Sequence, residues 1–102
     1  MDGVTDIAEI IDDPEASRFT YTADGHVAEL RYRRRADRLV LVHTGVPAEL
    51  EGRGVGTALV EAALGRAERE NLTVVPVCAF ARGWLERHPE AAARVTLDWN
   101  VS

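Results

Sequence analysis

The sequence has one cysteine, no lysine and no apolar run long enough to cross a membrane. The single cysteine, Cys78, excludes an intrachain disulfide and a metal site built from several cysteines. The first residues lack the basic region and the apolar stretch of a secretion signal. We therefore expect no metal and no membrane partner, and we expect the protein in a reducing compartment, the cytoplasm.

Excess positive charge is absent as well, because the formal net charge is -5. Proteins that bind nucleic acids carry surplus Lys and Arg for the phosphates, so the sequence predicts no nucleic-acid partner and mildly favours a cationic one. With 102 residues, of which 46% are hydrophobic, the chain fits one compact domain with a modest core.

The chain is divided by composition near its start. Residues 1–17 are acidic and contain Asp12-Asp13-Pro14-Glu15. This cluster of structure breakers predicts a partly flexible segment, with a loop after a short extended or helical start. We expect residues 18–102 to form the single domain.

Alternating polarity dominates the first part of that domain. Residues 18–22 and 27–33 alternate on either side of Asp24-Gly25, which is the pattern of a β-hairpin. The apolar run Leu39–Val42 predicts a central strand that continues towards Val46.

A helical pattern follows. Apolar residues at three- and four-residue spacings from Val55 predict an amphipathic helix that ends near Asn71. Residues 73–78 predict a second buried strand, parallel to the first because a helix connects the two. A short helix over residues 82–87 and a last strand within residues 94–101 complete an α/β fold with a mixed sheet.

Pro76 is unusual within a buried strand because it has no N–H group for the ladder. Either the two parallel strands diverge at this residue and leave a gap, or the strand lies at an edge of the sheet. The pattern alone fits both explanations.

Three glycines at alternate positions, Gly52, Gly54 and Gly56, stand directly before the helix. Bare backbone at a helix N-terminus allows an anion to approach N–H groups, although such a segment can also serve only to reverse the chain. A P-loop is excluded because it needs a lysine, and the Rossmann fingerprint is excluded because the next strand contains no acidic residue.

The segment Glu51-Gly52-Arg53-Gly54-Val55-Gly56 resembles the pyrophosphate loop of the acyl-CoA-dependent N-acyltransferases of the GNAT superfamily, whose pattern is Gln/Arg-x-x-Gly-x-Gly/Ala. The wider series His43-Thr44-Gly45-Val46-Pro47, the glycine segment and Val75–Phe80 is similar to the small, single-domain members of about 100 residues. The resemblance covers residues 18 to 89 and implies the GNAT-like fold, with antiparallel strands leading into a β-α-β unit whose parallel strands splay apart. Glu51 departs from the pattern, so we expect it to contribute only backbone.

The same resemblance implies acetyl-CoA, or coenzyme A, as cosubstrate and gives the cofactor-binding positions. Backbone groups around Thr44, Gly45 and Val46 are expected to line the pantetheine arm. The pyrophosphate is expected at five loop residues: Arg53, Gly54, Val55, Gly56 and Thr57.

Candidate catalytic residues also come from the resemblance. Larger members often use a tyrosine after the second parallel strand as the acid, but Tyr21 and Tyr32 both lie in the hairpin. Cys78 occupies the corresponding strand end, where the small members have a cysteine, and would act as nucleophile or general acid. His43 is the second candidate, as a base or as a partner of Cys78; the alternative for each residue is plain packing.

Larger relatives place two helices between their first and second strands, where this chain has only Asp24-Gly25. An open acceptor side is therefore expected. It suits a bulky amine such as a protein amine, or a wall supplied by a second subunit, so monomer and homodimer both remain open. The expected activity is N-acyl transfer to an amine; the alternatives are a noncatalytic acyl-CoA-binding or regulatory module and a domain without ligand.

Overall fold

The computed structural model describes residues 9–100 of the chain. Six strands form one sheet in the order β1-β2-β3-β4-β5-β6. The strands are β1 Glu9–Asp13, β2 Arg18–Ala23, β3 His26–Arg35, β4 Arg38–Gly45, β5 Thr73–Pro76 and β6 Thr96–Leu97. The helices are α1 Val55–Glu70, α2 Ala79–Arg87 and α3 Pro89–Ala92, and a short 3₁₀ helix spans Ala48–Leu50.

The sheet is mixed, as predicted. Strands β1 to β4 pair antiparallel, whereas β4, β5 and β6 run parallel. The hairpin prediction is confirmed: Asp24 and Gly25 join β2 to β3 with φ values of 53° and 76°. Two successive left-handed residues are typical of a type I′ turn, whose twist matches that of the two strands.

Part of the acidic segment 1–17 belongs to the sheet. Strand β1 pairs with β2 from Glu9↔Thr22 to Asp13↔Arg18, so Asp12 and Asp13 of the predicted loop lie in a strand, and the sheet begins before residue 18. The breaker Pro14 opens the turn into β2, where Ser17 N–H donates to the carbonyl of Pro14 at 3.2 Å. Residues 1–8 lie outside the described part of the chain, so the prediction of flexibility there stays a prediction.

One face of the sheet is covered by helix. Along β3, Ala28, Leu30 and Tyr32 are buried beneath α1, while Val27 and Arg31, which point to the other face, are exposed. The helix contributes Leu59, Val60, Ala63 and Leu64 at the predicted spacing, and all four are fully buried. The opposite face of the antiparallel strands is therefore open to solvent, as the lack of the two additional helices predicts.

A polar cluster ties β1 to this helix. The guanidinium of Arg66 donates to Asp12 at 3.1 Å and to the Tyr32 hydroxyl at 2.7 Å, and that hydroxyl donates to Asp12 at 2.6 Å. Arg66 is only 8% exposed, and the helical pattern did not predict it as a buried charge. Burial and the hydrogen bond to Asp12 raise the pKa of Tyr32 to about 12.

The parallel strands β4 and β5 diverge at Pro76. Their register runs from Arg38↔Thr73 to Leu41↔Pro76, and β4 then continues alone to Gly45. The N–H groups of Val77 and Cys78 both donate to the carbonyl of Leu41, at 3.0 and 2.8 Å. Pro76 therefore marks the divergence of β4 and β5. Strand β6 pairs with β5 only at Thr73 and Val74, so Pro76 also lies beyond the end of the pairing on that side.

Candidate functional site

A cavity of about 490 Å³ opens where β4 ends and α1 begins. Its wall combines the end of β4, the loop before α1, the first turn of α1 and one residue of α2. The lining residues are Thr44, Val46, Leu50, Glu51, Gly52, Gly54, Val55, Gly56, Thr57 and Phe80. Six of the eight predicted cofactor-binding residues thus line one cavity; Gly45 and Arg53 do not.

Two of the glycines are required by the backbone. Gly52 and Gly54 have φ values of 80° and 76°, in the left-handed region that side chains disfavour. A Cβ atom built on either would meet nothing within 4 Å, so the space above the loop is open. Gly54 precedes α1, and no side chain caps that helix end. The first N–H groups of α1 therefore face the cavity with the positive end of the helix dipole, an arrangement that attracts anions.

Gly56 is a glycine for a different reason. It lies inside α1, and a Cβ atom there would be 2.5 Å from Cζ of Phe80, well inside van der Waals contact. Phe80 itself is 40% exposed, which is unusual for a large apolar ring. The ring rests on the helix where Gly56 leaves room, so the neighbour that keeps this position small is a side chain of the protein.

Arg53, the only cation of the loop, points away from the cavity. Its Nη1 atom donates to the carboxylate of Asp24 at 2.8 Å, and both side chains are about half exposed. The tip of the β2–β3 hairpin thus lies beside the glycine loop. The side chain of Thr57 also has a partner within the protein, because its hydroxyl accepts a hydrogen bond from the indole N–H of Trp84 at 2.9 Å.

Cys78 lies just beyond the end of β5 and is 7% exposed. Its sulfur is 3.1 Å from Oγ1 of Thr44, a hydrogen bond in which either atom can be the donor. This bond spans the gap between the diverging strands. Cys78 itself does not line the cavity, but Thr44, which does, is the hydrogen-bond partner of its thiol.

His43 lies elsewhere. It is exposed and pairs with Arg31 of β3, on the face of the sheet opposite Thr44. No side-chain hydrogen bond within residues 9–100 joins it to Cys78. The structure therefore does not bring the two predicted catalytic residues together, and a role for His43 as partner of Cys78 finds no support in this geometry. Its role as a base stays a prediction.

The side-chain contacts of Thr44 and Phe80 were not predicted. The bond from Thr44 to Cys78 joins residues 34 positions apart, so no local spacing reveals it. Phe80 carries a weak signal, since a large apolar residue two positions after the candidate cysteine stands at a strand-to-helix junction. His88, which follows Trp84 at helical spacing, stacks on its ring with centroids 4.0 Å apart.

Among residues 9–100, no cluster of His, Cys, Asp or Glu side chains could hold a metal ion. No helix in the same range has both the length and the apolarity needed to span a membrane.

Comparison with known proteins agrees with this geometry. The family model of the GCN5-related N-acetyltransferases matches residues 18–95. The NMR solution structure of a GCN5-like N-acetyltransferase candidate from Staphylococcus aureus is 30% identical, covers 91% of this chain and 93% of its own, and superposes with a TM-score of 0.68. No curated protein sequence matches. The family match over most of the chain, together with the glycine loop before α1 and the splayed parallel strands, shows that the chain belongs to the GCN5-related N-acetyltransferase family.

Proposed function

We propose that this N-acetyltransferase uses acetyl-CoA as donor and transfers the acetyl group to an amine. The observation that carries the proposal is the uncapped N-terminus of α1, which opens through two left-handed glycines into a cavity whose wall includes Thr44, the hydrogen-bond partner of Cys78. An anion at one end of this cavity and a thioester at the other match the two ends of the ligand.

The residues present fit the cofactor. Backbone N–H groups of residues 54 to 57 would hold the pyrophosphate, since the space above Gly52 and Gly54 is open. Because β5 leaves β4 at Leu41, the backbone of residues 44 to 46 has no strand partner on that side in the register of the sheet. This free edge would hydrogen-bond the amide groups of the pantetheine arm.

Acetyl transfer breaks the thioester C–S bond and forms a C–N bond. The neutral amine contributes its electron pair to the carbonyl carbon, the amine proton passes to a base, and the departing thiolate takes up a proton. For Cys78 we infer one of two roles, as the acid that protonates the thiolate or as a nucleophile that carries the acetyl group in between. The hydroxyl of Thr44 would orient the thiol in either case.

Binding tests the proposal first. A ligand that binds only the folded state raises the melting temperature by mass action. Acetyl-CoA and CoA are expected to raise it, whereas NAD and ATP at the same concentration are expected to have no effect. A response to NAD but none to CoA contradicts the cofactor assignment.

Turnover tests the second half of the proposal, the transfer of the acetyl group to an amine. Release of free CoA from acetyl-CoA, followed with a thiol reagent, should increase when an amine acceptor is added. Binding of acetyl-CoA without release in the presence of any amine would instead establish the noncatalytic acyl-CoA-binding module. The cytoplasmic location and the choice between monomer and homodimer stay predictions, for which fractionation and size-exclusion chromatography are the measurements.

A further inference from the structure

A second cavity, of about 520 Å³, lies on the open face of the sheet, and we refer to it as the arginine groove. Its polar wall consists of Arg18 from β2 and Glu29 and Arg31 from β3. Gly45, Val46 and Pro47 at the end of β4 form the other wall. None of the predicted cofactor contacts explains this cluster of charges.

The groove and the cofactor cavity adjoin each other across the end of β4. Thr44 lines the cofactor cavity, Gly45 lines the groove, and Val46 lines both. Successive residues of a strand face opposite sides of a sheet, so the two spaces lie back to back. The departure of β5 at Pro76 leaves this part of β4 without a strand neighbour on that side, and Val46, which lines both spaces, is where they meet.

The charged side chains of the groove carry more hydrogen-bond donors than acceptors. Glu29 accepts from Nη1 of Arg18 at 2.9 Å and lies 3.4 Å from Nε of Arg31. One carboxylate therefore faces two guanidinium groups, which carry ten N–H donors between them. Nε of Arg18 is buried and has no hydrogen-bond partner within residues 9–100. That atom is shielded from solvent, so the donors open to a ligand are the remaining N–H groups of the partly exposed Arg18 and Arg31, and the three charged side chains together carry one surplus positive charge.

His43 lies beside this groove. It stands directly across from Arg31 in the β3–β4 ladder, and its Nε2 atom is 3.4 Å from the position of a Cβ atom on Gly45, a groove residue. The imidazole is exposed and faces the same side of the sheet as Arg18 and Arg31. His43 lies on the face of the sheet opposite Thr44, the partner of Cys78. This position suits a base that acts on the acceptor.

We propose that the arginine groove is the acceptor site and that it selects amines that also carry a carboxylate, such as free α-amino acids. This inference rests on the proposed function and deepens it. The planar guanidinium groups of Arg18 and Arg31 bind the carboxylate in a geometry that an ammonium group does not match. The amine then points towards Val46 and the thioester beyond it. His43 takes the proton that the nitrogen loses as the C–N bond forms and the C–S bond breaks.

Pairs of acceptors that differ only in the carboxylate test this assignment. Initial rates of CoA release are measured for phenylalanine against phenethylamine and for histidine against histamine, with a peptide N-terminus as the third arm. The proposal expects kcat/KM at least about 10-fold higher for each amino acid, the scale of one charge-assisted contact. Equal or higher rates for the decarboxylated amines or for the peptide overturn it.

A variant identifies the residue responsible. Arg31→Gln is expected to reduce the ratio of amino acid to matched amine by about 10-fold, while Arg31→Lys retains part of it. Arg33→Gln is the control, because Arg33 is exposed two positions further along β3 and does not line the groove. An unchanged ratio in Arg31→Gln, or an equal loss in Arg33→Gln, overturns the proposal.

The thermal response to acetyl-CoA separates this inference from the proposed function. A protein that binds acetyl-CoA but transfers to no amino acid overturns the acceptor assignment alone. A protein without any response to acetyl-CoA overturns the proposed function, and the acceptor assignment with it.

Discussion

The two sides of the β4 end are built in different ways. On the helix side, the cavity proposed for the cofactor offers backbone groups to a ligand, from left-handed glycines, an uncapped helix end and a free strand edge, and side chains such as Phe80 complete its wall. On the open side, the arginine groove is formed by side chains, two guanidinium groups around one carboxylate. A backbone site tolerates side-chain truncation but not added bulk, whereas a side-chain site behaves in the opposite way. Substitutions can therefore distinguish the two surfaces.

The largest effect is expected at Cys78, the candidate catalytic residue beside the cavity. Cys78→Ala should keep the affinity for CoA within a few fold, because backbone groups hold the ligand, but lower turnover by roughly 100-fold or more. Isothermal titration measures the first quantity and CoA release the second. Mass spectrometry after incubation with acetyl-CoA alone distinguishes the two roles, since an added acetyl group on Cys78 is expected only for the nucleophile. Full activity of the alanine variant would leave Cys78 a packing residue.

Gly54→Val should have the next largest effect. The φ value of 76° is costly for a β-branched residue, and the new side chain would project into the open space where the pyrophosphate is expected. We expect a loss of CoA affinity of about 10-fold or more, with the fold retained but less stable. Gly25→Val is the control for backbone strain, since Gly25 has the same φ value of 76° and does not line the cavity. Similar CoA affinity in both variants would make Gly54 only a turn residue.

The elements that sequence predicted share one property: their signals are local. Asp24-Gly25 specifies its turn by the angles it needs, and α1 follows from the spacing of its apolar residues. The contacts that were missed join distant segments, as with Asp12 and Arg66, 54 residues apart. Such pairs depend on which strands become neighbours and on where β5 leaves β4. The divergence at Pro76 was therefore open in the sequence and is decided only by the register of the sheet.

Gly56→Ala sharpens the comparison, because a side chain and not the backbone restricts this position. The added Cβ atom would displace the ring of Phe80, whose Cζ lies 2.5 Å from it. A flexible, 40% exposed ring can move, so we expect a moderate loss of CoA affinity, about threefold to tenfold. The double variant Gly56→Ala/Phe80→Ala should bind CoA as well as Phe80→Ala alone, and a double-mutant cycle measures this coupling. Additive losses would show that Gly56 is small for the ligand and not for Phe80.

The smallest effect is expected at the one ion pair that links the hairpin to the cofactor loop. Asp24 holds the guanidinium of Arg53 at 2.8 Å, so this carboxylate would compete with a pyrophosphate bound at the loop for the cation of Arg53. Exposed pairs of this kind contribute about 0.2–1 kcal/mol, and their loss corresponds to a change in affinity of roughly 1.4- to 5-fold.

Asp24→Asn is the suitable change, because asparagine accepts the left-handed angle of a type I′ turn and leaves the hairpin intact. CoA affinity should rise by about twofold at low salt, and the gain should shrink as added salt screens the charges. Asp37→Asn, an exposed carboxylate in the β3–β4 turn, should change nothing. If Asp24→Asn weakens CoA binding instead, the pair serves to fix the loop, and Arg53 acts through its position and not through its charge.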